Sequence, residues 1–392
     1  MRYIIRSLVN RISQLALPVL FLSAMAGQGQ PQDESERLYR LGQQQLVQGN
    51  LEEAEQAFRG ILESRPDLPE VHYYLGKIEV ARGEYQTAVG HYERALSFNA
   101  NFPEALNDLG LARMAGGNVD AAEKAFRNAL RLQPAQPYYR LNLAYCLLGQ
   151  ARTREAGDEL ESIRPIPESD PAFETAWEIW VQMMTEKEEY ESAVQRLQRH
   201  LDRTPDSVHL HLLLGQMLFD SGAFKKAEAE FSRAMRLAPE ASRHRSRVSY
   251  SLGYLYVQLG RGEKGEEFLR KALARDPSNV SAQTALGSLL LDLGRWDKGE
   301  ELLTQALRAQ PDFSEARFHL GRCYVKQKKW SESTRVLAEM VEKQPQHLEA
   351  HFLLSKAYRG QGLLTQAAHH FQVFRELEKM GHAMRQDKTY LR

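Results

Sequence analysis

The chain has 392 residues, with 51 Lys plus Arg balanced by 51 Asp plus Glu and 43% apolar residues. The neutral balance excludes the overall basic field of a nucleic-acid binder or of a protein held on an anionic membrane. The length allows two or three ordinary domains or one elongated array, and the apolar fraction is enough for a core.

The N-terminus differs from everything after it. "MRYIIRSLVNRISQ" carries Arg2, Arg6 and Arg11, and no acidic residue precedes Asp33. "LALPVLFLSAMA" then runs apolar from Leu15 to Ala26 and closes on Ala24-Met25-Ala26. A positive start, a short apolar stretch and a small-x-small site predict a secretory signal peptide over 1–26. The expected product is an exported protein, periplasmic or secreted, that begins at Gly27. Twelve apolar residues interrupted by Pro18 are too few for a good membrane span. No cysteine near the site permits lipid modification. A mitochondrial presequence is the weaker rival, since Ile5, Leu8, Ile12 and Leu15 follow helical spacing; an uncleaved anchor is another. Residues 27–34, "GQGQPQDE", predict a flexible spacer.

From residue 35 the chain repeats itself. Leu-Gly pairs place glycine at Gly42, Gly76, Gly110, Gly215, Gly253, Gly287 and Gly321, in steps of 34, 34, 105, 38, 34 and 34. Prolines from Pro66 to Pro345 keep the same period and the same two small insertions. Ten units follow, starting at 35, 69, 103, 137, 174, 208, 246, 280, 314 and 348, with irregular joints near 164–173 and 242–245. Each unit carries two helical stripes: in unit six, Ala227, Phe231 and Ala234 share one face and Pro239 ends the helix. The twentieth position is always small (Ala54 through Ala367) and the twenty-fourth always bulky (Phe58 through Phe371). A small residue admits the neighbouring helix closely and a large one fills the space beside it. One such pair cannot bury its stripe alone, so the units must stack.

These units resemble the tetratricopeptide repeat family over residues 35–381; unit six supplies Leu214-Gly215, Ala227, Phe231, Ala234 and Pro239 in the family's order. Units four, five and ten depart from it at Ala144, Trp180-Val181 and Ser355. The resemblance implies an all-α, right-handed superhelical solenoid of antiparallel helix pairs, with a concave groove lined by each unit's first helix.

"GRGEKG", residues 260–265, matches the glycine pattern that cradles a dinucleotide pyrophosphate. Here a helix precedes it, whereas the fingerprint must follow a strand. Gly260 falls instead at the fifteenth position, with Gly49, Gly83, Gly117, Gly222, Gly294 and Gly362, which marks the turn between paired helices. No P-loop, zinc-protease or hydrolase motif occurs. His209 and His211 do not share a helical face, and His347 with His351 lacks a further ligand, so no metal site is predicted. Cys146 and Cys323 occupy the tenth position of their units, a buried stripe, and predict two unpaired thiols. "SRHRSR" (242–247) reads as a solvated linker, with a basic contact as the sharper alternative. Asn279-Val280-Ser281 is a glycosylation sequon.

By the family's geometry, positions two, five, six, nine and thirteen of each first helix face the groove. The candidate binding residues are Tyr73, Tyr74, Lys77, Asn107, Tyr138, Asn142, Tyr145, Tyr250, Tyr254, Phe318, His319, Arg322, Phe352 and Lys356. Tyrosine offers contact area with a polar tip at low entropic cost, which suits peptide capture. The family's carboxylate clamp is absent, because units one to three carry Tyr39, Gln43, Tyr74, Glu104 and Asp108 there. The sequence therefore predicts a non-enzymatic scaffold or adaptor that binds protein or peptide segments, without cofactor or nucleic acid. The alternative is a regulatory or targeting subunit of an envelope enzyme or of a polysaccharide or secretion assembly. The tail 382–392 is too short to cap unit ten, so end-to-end self-association through the last repeat is a further expectation.

Overall fold

The computed structural model describes residues 31–163, 171–240 and 242–390. The expected signal peptide lies outside the described residues. Twenty helices and no strand occur among the described residues, and none of the helices is long and apolar enough to cross a membrane. The chain divides into two compact units, one through Arg203 and one from Thr204.

The N-terminal unit holds five helix pairs: α1 (Pro31–Gln48) with α2 (Leu51–Ser64), α3 (Pro69–Arg82) with α4 (Tyr85–Phe98), α5 (Pro103–Ala115) with α6 (Val119–Leu132), α7 (Pro137–Gly149) with α8 (Thr153–Ser162), and α9 (Pro171–Glu186) with α10 (Tyr190–Leu201). The C-terminal unit holds α11 (Val208–Asp220) with α12 (Phe224–Leu237), α13 (Arg243–Gln258) with α14 (Gly262–Arg275), α15 (Val280–Asp292) with α16 (Trp296–Ala309), α17 (Ser314–Lys326) with α18 (Trp330–Lys343), and α19 (Leu348–Gly360) with α20 (Leu364–Tyr390). Within each unit every second helix packs on its own first helix and on the first helix that follows.

Three recurring contacts explain why this sequence folds so. The first is a ring over a glycine. A Cβ at Gly76 would stand 2.6 Å from the Tyr92 ring, and at Gly110 2.5 Å from that of Phe126, so in these repeats the ring of the second helix lies directly against the glycine of the first. The small twentieth position is buried in all ten repeats, from Ala54 to Ala367, as the stripe requires. The second contact is the turn. Gly260 has φ +71 between α13 and α14, and the equivalent glycines named above also lie in the left-handed region. "GRGEKG" is therefore a helix–helix turn, and Gly265 within it is the small residue pressed on Val257.

The third contact was not read from the sequence. The fourth residue of many repeats donates to the proline carbonyl six residues back, tying the loop between repeats to the next first helix. His72 reaches Pro66 at 3.2 Å, His211 reaches Pro205 at 3.0 Å, Gln283 reaches Pro277 at 2.7 Å and His351 reaches Pro345 at 3.0 Å; Arg140 and Arg317 do the same. These histidines are structural ties. On the second-helix side, a cation of one repeat grips a glutamate of the repeat before it: Arg152 with Glu123 at 2.6 Å, Arg295 with Glu266 at 2.8 Å, Lys329 with Glu300 at 2.8 Å.

Three segments differ from expectation. Residues 31–34 of the expected spacer already belong to α1. The insertion at 242–245 is not a linker: Ser242 caps α13, which starts one turn early, and Arg245 donates to the Ala238 carbonyl at 2.6 Å while pairing with Glu240. Residues 382–390 continue α20 rather than forming a separate tail. Residues 164–170 of the other irregular joint lie outside the described residues.

Candidate functional site

Each first helix packs on its own second helix and also on neighbouring first helices. Only a narrow strip of it meets solvent, and the structure sorts the predicted residues by whether they reach that strip.

In the N-terminal unit four of them do not. Tyr73, Asn107, Asn142 and Tyr145 are buried, at 8%, 5%, 0% and 4% exposure. They lie in the seams between first helices, where polar side chains must find partners. The Tyr73 hydroxyl donates to Asp108 at 2.9 Å, Asn107 donates to Asp108 at 3.0 Å, and Asn142 donates to Asn107 at 2.8 Å, one network across three repeats. Tyr145 donates to the Ala172 carbonyl at 2.5 Å. Burial raises the Asp108 carboxyl, against the pull of Lys77 and the bonds from Tyr73 and Asn107. Asn142 Oδ1 has no partner in this network. These four hold the repeats in register instead of offering contact surface. Tyr74, Lys77 and Tyr138 are half-buried and do reach the strip; Tyr74 accepts from Gln43 at 2.7 Å, and the Lys77 ammonium lies 5.6 Å from the Tyr73 ring.

In the C-terminal unit Tyr250 and Tyr254 are both half-buried, with rings 5.9 Å apart and inclined by 28°. Phe219 of α11 lies 5.5 Å from Tyr254. With Gln216, Asp220, Phe231 and Ser251 these rings line a cleft of ≈ 210 Å³. Burial first, and then the charge of Glu315, pushes both phenols above their ordinary value, so both stay neutral. Farther along, burial pushes His319 down to about 4, with the Arg322 charge adding to the shift, and leaves it uncharged at neutral pH. Arg322 is itself held by Ser288 Oγ at 3.0 Å and Asp292 at 3.2 Å. The Phe318 ring lies beside that of His347, 5.0 Å between centroids and inclined by 35°, while Phe352 and Lys356 are exposed.

Phe219, Asp220 and Glu315 were missed from the sequence. Asp220 and Glu315 occupy the thirteenth and second positions of their repeats, so the same frame contained them.

The chain is 28% identical to mouse Tetratricopeptide repeat protein 21A over 161 residues, 39% of this chain and only 11% of that much longer protein. Among solved structures, MamA is 20% identical over 43% of this chain and 97% of its own, with a TM-score of 0.38. The APC/C hetero-tetramer Cut9–Hcn1 is 12% identical over 88% of this chain and 94% of its own, with a TM-score of 0.47. Family models described as tetratricopeptide repeat match residues 39–105, 107–171, 186–242, 256–316 and 290–356, most of the chain; the chain belongs to the tetratricopeptide repeat family.

Proposed function

We propose that the strip of first-helix side chains in each unit binds extended segments of protein partners, and that the chain acts as a scaffold. The observation that carries this reading is the half-exposed row Tyr74, Lys77 and Tyr138 in one unit and Tyr250, Tyr254 and Phe318 in the other, set on rigid paired helices. Rigid aromatic anchors with polar tips bind at low entropic cost, and this fold is typically a protein-interaction scaffold.

Selection of random 12-residue peptides against the full chain tests it. Tyr74→Ala or Tyr254→Ala should weaken the selected peptides by about 1–3 kcal/mol for a true anchor. Tyr145→Phe, in a buried seam, should leave affinity unchanged while lowering stability. Binding insensitive to every strip substitution, yet lost with Phe268→Ala on the second-helix side, would put the site on the wrong face.

The export reading rests on the Arg-rich start and Ala24-Met25-Ala26. Sequencing the mature N-terminus should give Gly27; Met1 retained on soluble cytosolic protein would overturn it. Self-association through the last repeat has one observation in its favour: Phe352, Leu364, Phe371 and Met380 are 40–67% exposed there. Phe371→Ser should then lower the sedimentation mass, and an unchanged monomer in the parent chain would exclude it.

A further inference from the structure

We infer that the outer face of the last repeat is an interface for the same face of a second copy of the chain, so that two chains form a closed tail-to-tail pair. This rests on the reading that the last repeat self-associates, and adds which surface of the partner it meets.

Within each unit the joints between repeats are built from two sets of side chains. Positions twenty, twenty-four and twenty-seven of a second helix meet positions three, seven and ten of the first helix that follows. Ala54, Phe58 and Ile61 of α2 cluster with Val71, Leu75 and Ile78 of α3, and Leu303 and Ala306 of α16 with Ala316, Leu320 and Cys323 of α17. The last repeat keeps its half of such a joint: Ala367, Phe371 and Phe374 stand at those positions of α20. The residue at position twenty-four is at most 2% exposed in repeats one to nine, yet Phe371 is 40% exposed. The chain does not cover this face itself. α20 contains no proline stop and runs for 27 residues, where α2 and α12 have 14, so it leaves along the helix axis instead of turning back over Phe371.

The first repeat of another copy does not offer the other half of the joint. Positions three, seven and ten are apolar in repeats two to ten, from Val71, Leu75 and Ile78 to Ala350, Leu354 and Ala357. In repeat one they are Arg37, Leu41 and Gln44, all exposed. Seating Phe371 on that helix would bury a guanidinium and an amide in an apolar joint, which is costly without partners. Repeat one therefore has the polar outer face that ends an array, and repeat ten has not. The surface of a second copy that does match α20 is α20 itself. Its apolar residues meet their like, and the charges beyond Phe374 are mixed, Arg375 and Lys379 against Glu376 and Glu378, so no net charge opposes the pairing. A patch that pairs with itself closes after two copies, whereas head-to-tail stacking leaves a free end at every step.

The test is sedimentation of the full chain at rising concentration, up to tens of micromolar. The mass should climb to that of two chains and stay there. Phe371→Asp should keep the chain monomeric. Leu364→Asp should do the same, and its side chain, 67% exposed, lies outside the core; circular dichroism checks both folds. Leu41→Asp, on the outer face of repeat one, should leave the pair intact. A mass that keeps climbing overturns the inference and leaves the last-repeat reading standing. So do Leu41→Asp and Phe371→Asp chains that are each monomeric alone but associate when mixed, the mark of head-to-tail stacking. A parent chain that stays monomeric, or a pair that persists in both Phe371→Asp and Leu364→Asp, overturns both.

Discussion

Phe231 lies directly against Gly215, so closely that a Cβ built on the glycine would stand 2.5 Å from ring atom Cδ1. The contact joins the two helices of repeat six, and its equivalents at Gly76 and Gly110 do the same for theirs. Gly215→Ala forces the ring or the helix to move. Overpacking of this kind costs about 1–3 kcal/mol, and alanine's better helix propensity returns at most about 1 kcal/mol. With that gain in full a net loss of up to about 2 kcal/mol follows, read as a lower denaturation midpoint and faster amide exchange in α11 and α12. Gly90→Ala is the control: nothing lies within 4 Å of its added Cβ, and it should gain about 0.5–1 kcal/mol. An unchanged midpoint for Gly215→Ala would show that the ring moves aside freely.

The repeat frame was legible because glycine, proline and the small twentieth position each answer to a steric demand that only one or two residue types satisfy. The seam network was not. A first helix of these units is enclosed on most sides, so its sequence has little amphipathic contrast, and one position of offset turns a side chain by about 100°. Tyr74 and Tyr73 are adjacent in sequence, yet one reaches the strip and the other is sealed against Asp108. The ties to the proline carbonyls escaped for another reason. His72, Arg140 and Gln283 share a donor nitrogen and nothing else that a pattern would register.

Three turns lack the glycine that the others use. Ala151, Glu188 and Lys328 sit at the same fifteenth position with φ of 59, 57 and 59. A left-handed conformation costs a residue with a Cβ about 1–2 kcal/mol, and glycine gives back part of that through its freer unfolded chain. Lys328→Gly should therefore stabilise by about 0.5–1 kcal/mol. Ala151→Gly should gain as much, which removes the lost lysine charge as an explanation. Thermal melts decide it, and a lower Tm in both variants would contradict the strain argument.

Cys146 and Cys323 are unpaired, fully buried and built alike: each thiol faces a backbone carbonyl of the preceding repeat and the amide of a glutamine one turn on. Burial pushes both thiols up to about 11. The thiolate is the reactive form, so a thiol reagent at pH 8 should find neither cysteine in the folded chain and both after denaturation. Rapid labelling of either in the native protein would mean that its repeat opens locally.

The last repeat joins its helices through two imidazoles, His351 of α19 and His370 of α20, whose Nδ1 atoms are 3.0 Å apart. His351 Nε2 is engaged by the Pro345 carbonyl and so carries its proton, which makes His351 Nδ1 the acceptor and His370 the donor. Burial, with His351 and His369 adding to it, pushes His370 down from 6.5 to about 4. A folded value below the unfolded one means that the folded state binds fewer protons. The stability this pair contributes is full above pH 6.5 and is lost as pH falls towards 4. His211 has the opposite sign. Burial lowers it, but the bonds to Glu230 and the Pro205 carbonyl raise it more, so its contribution is full below pH 6.5 and fades as pH rises through the folded value. The pair and the tie therefore oppose one another across neutrality. Melts between pH 5 and 8 should show His370→Phe losing less stability than the parent on acidification, and His211→Gln losing less on the alkaline side. Parallel pH profiles for parent and His370→Phe between pH 6.5 and 5 would show that His370 gains its proton without leaving His351.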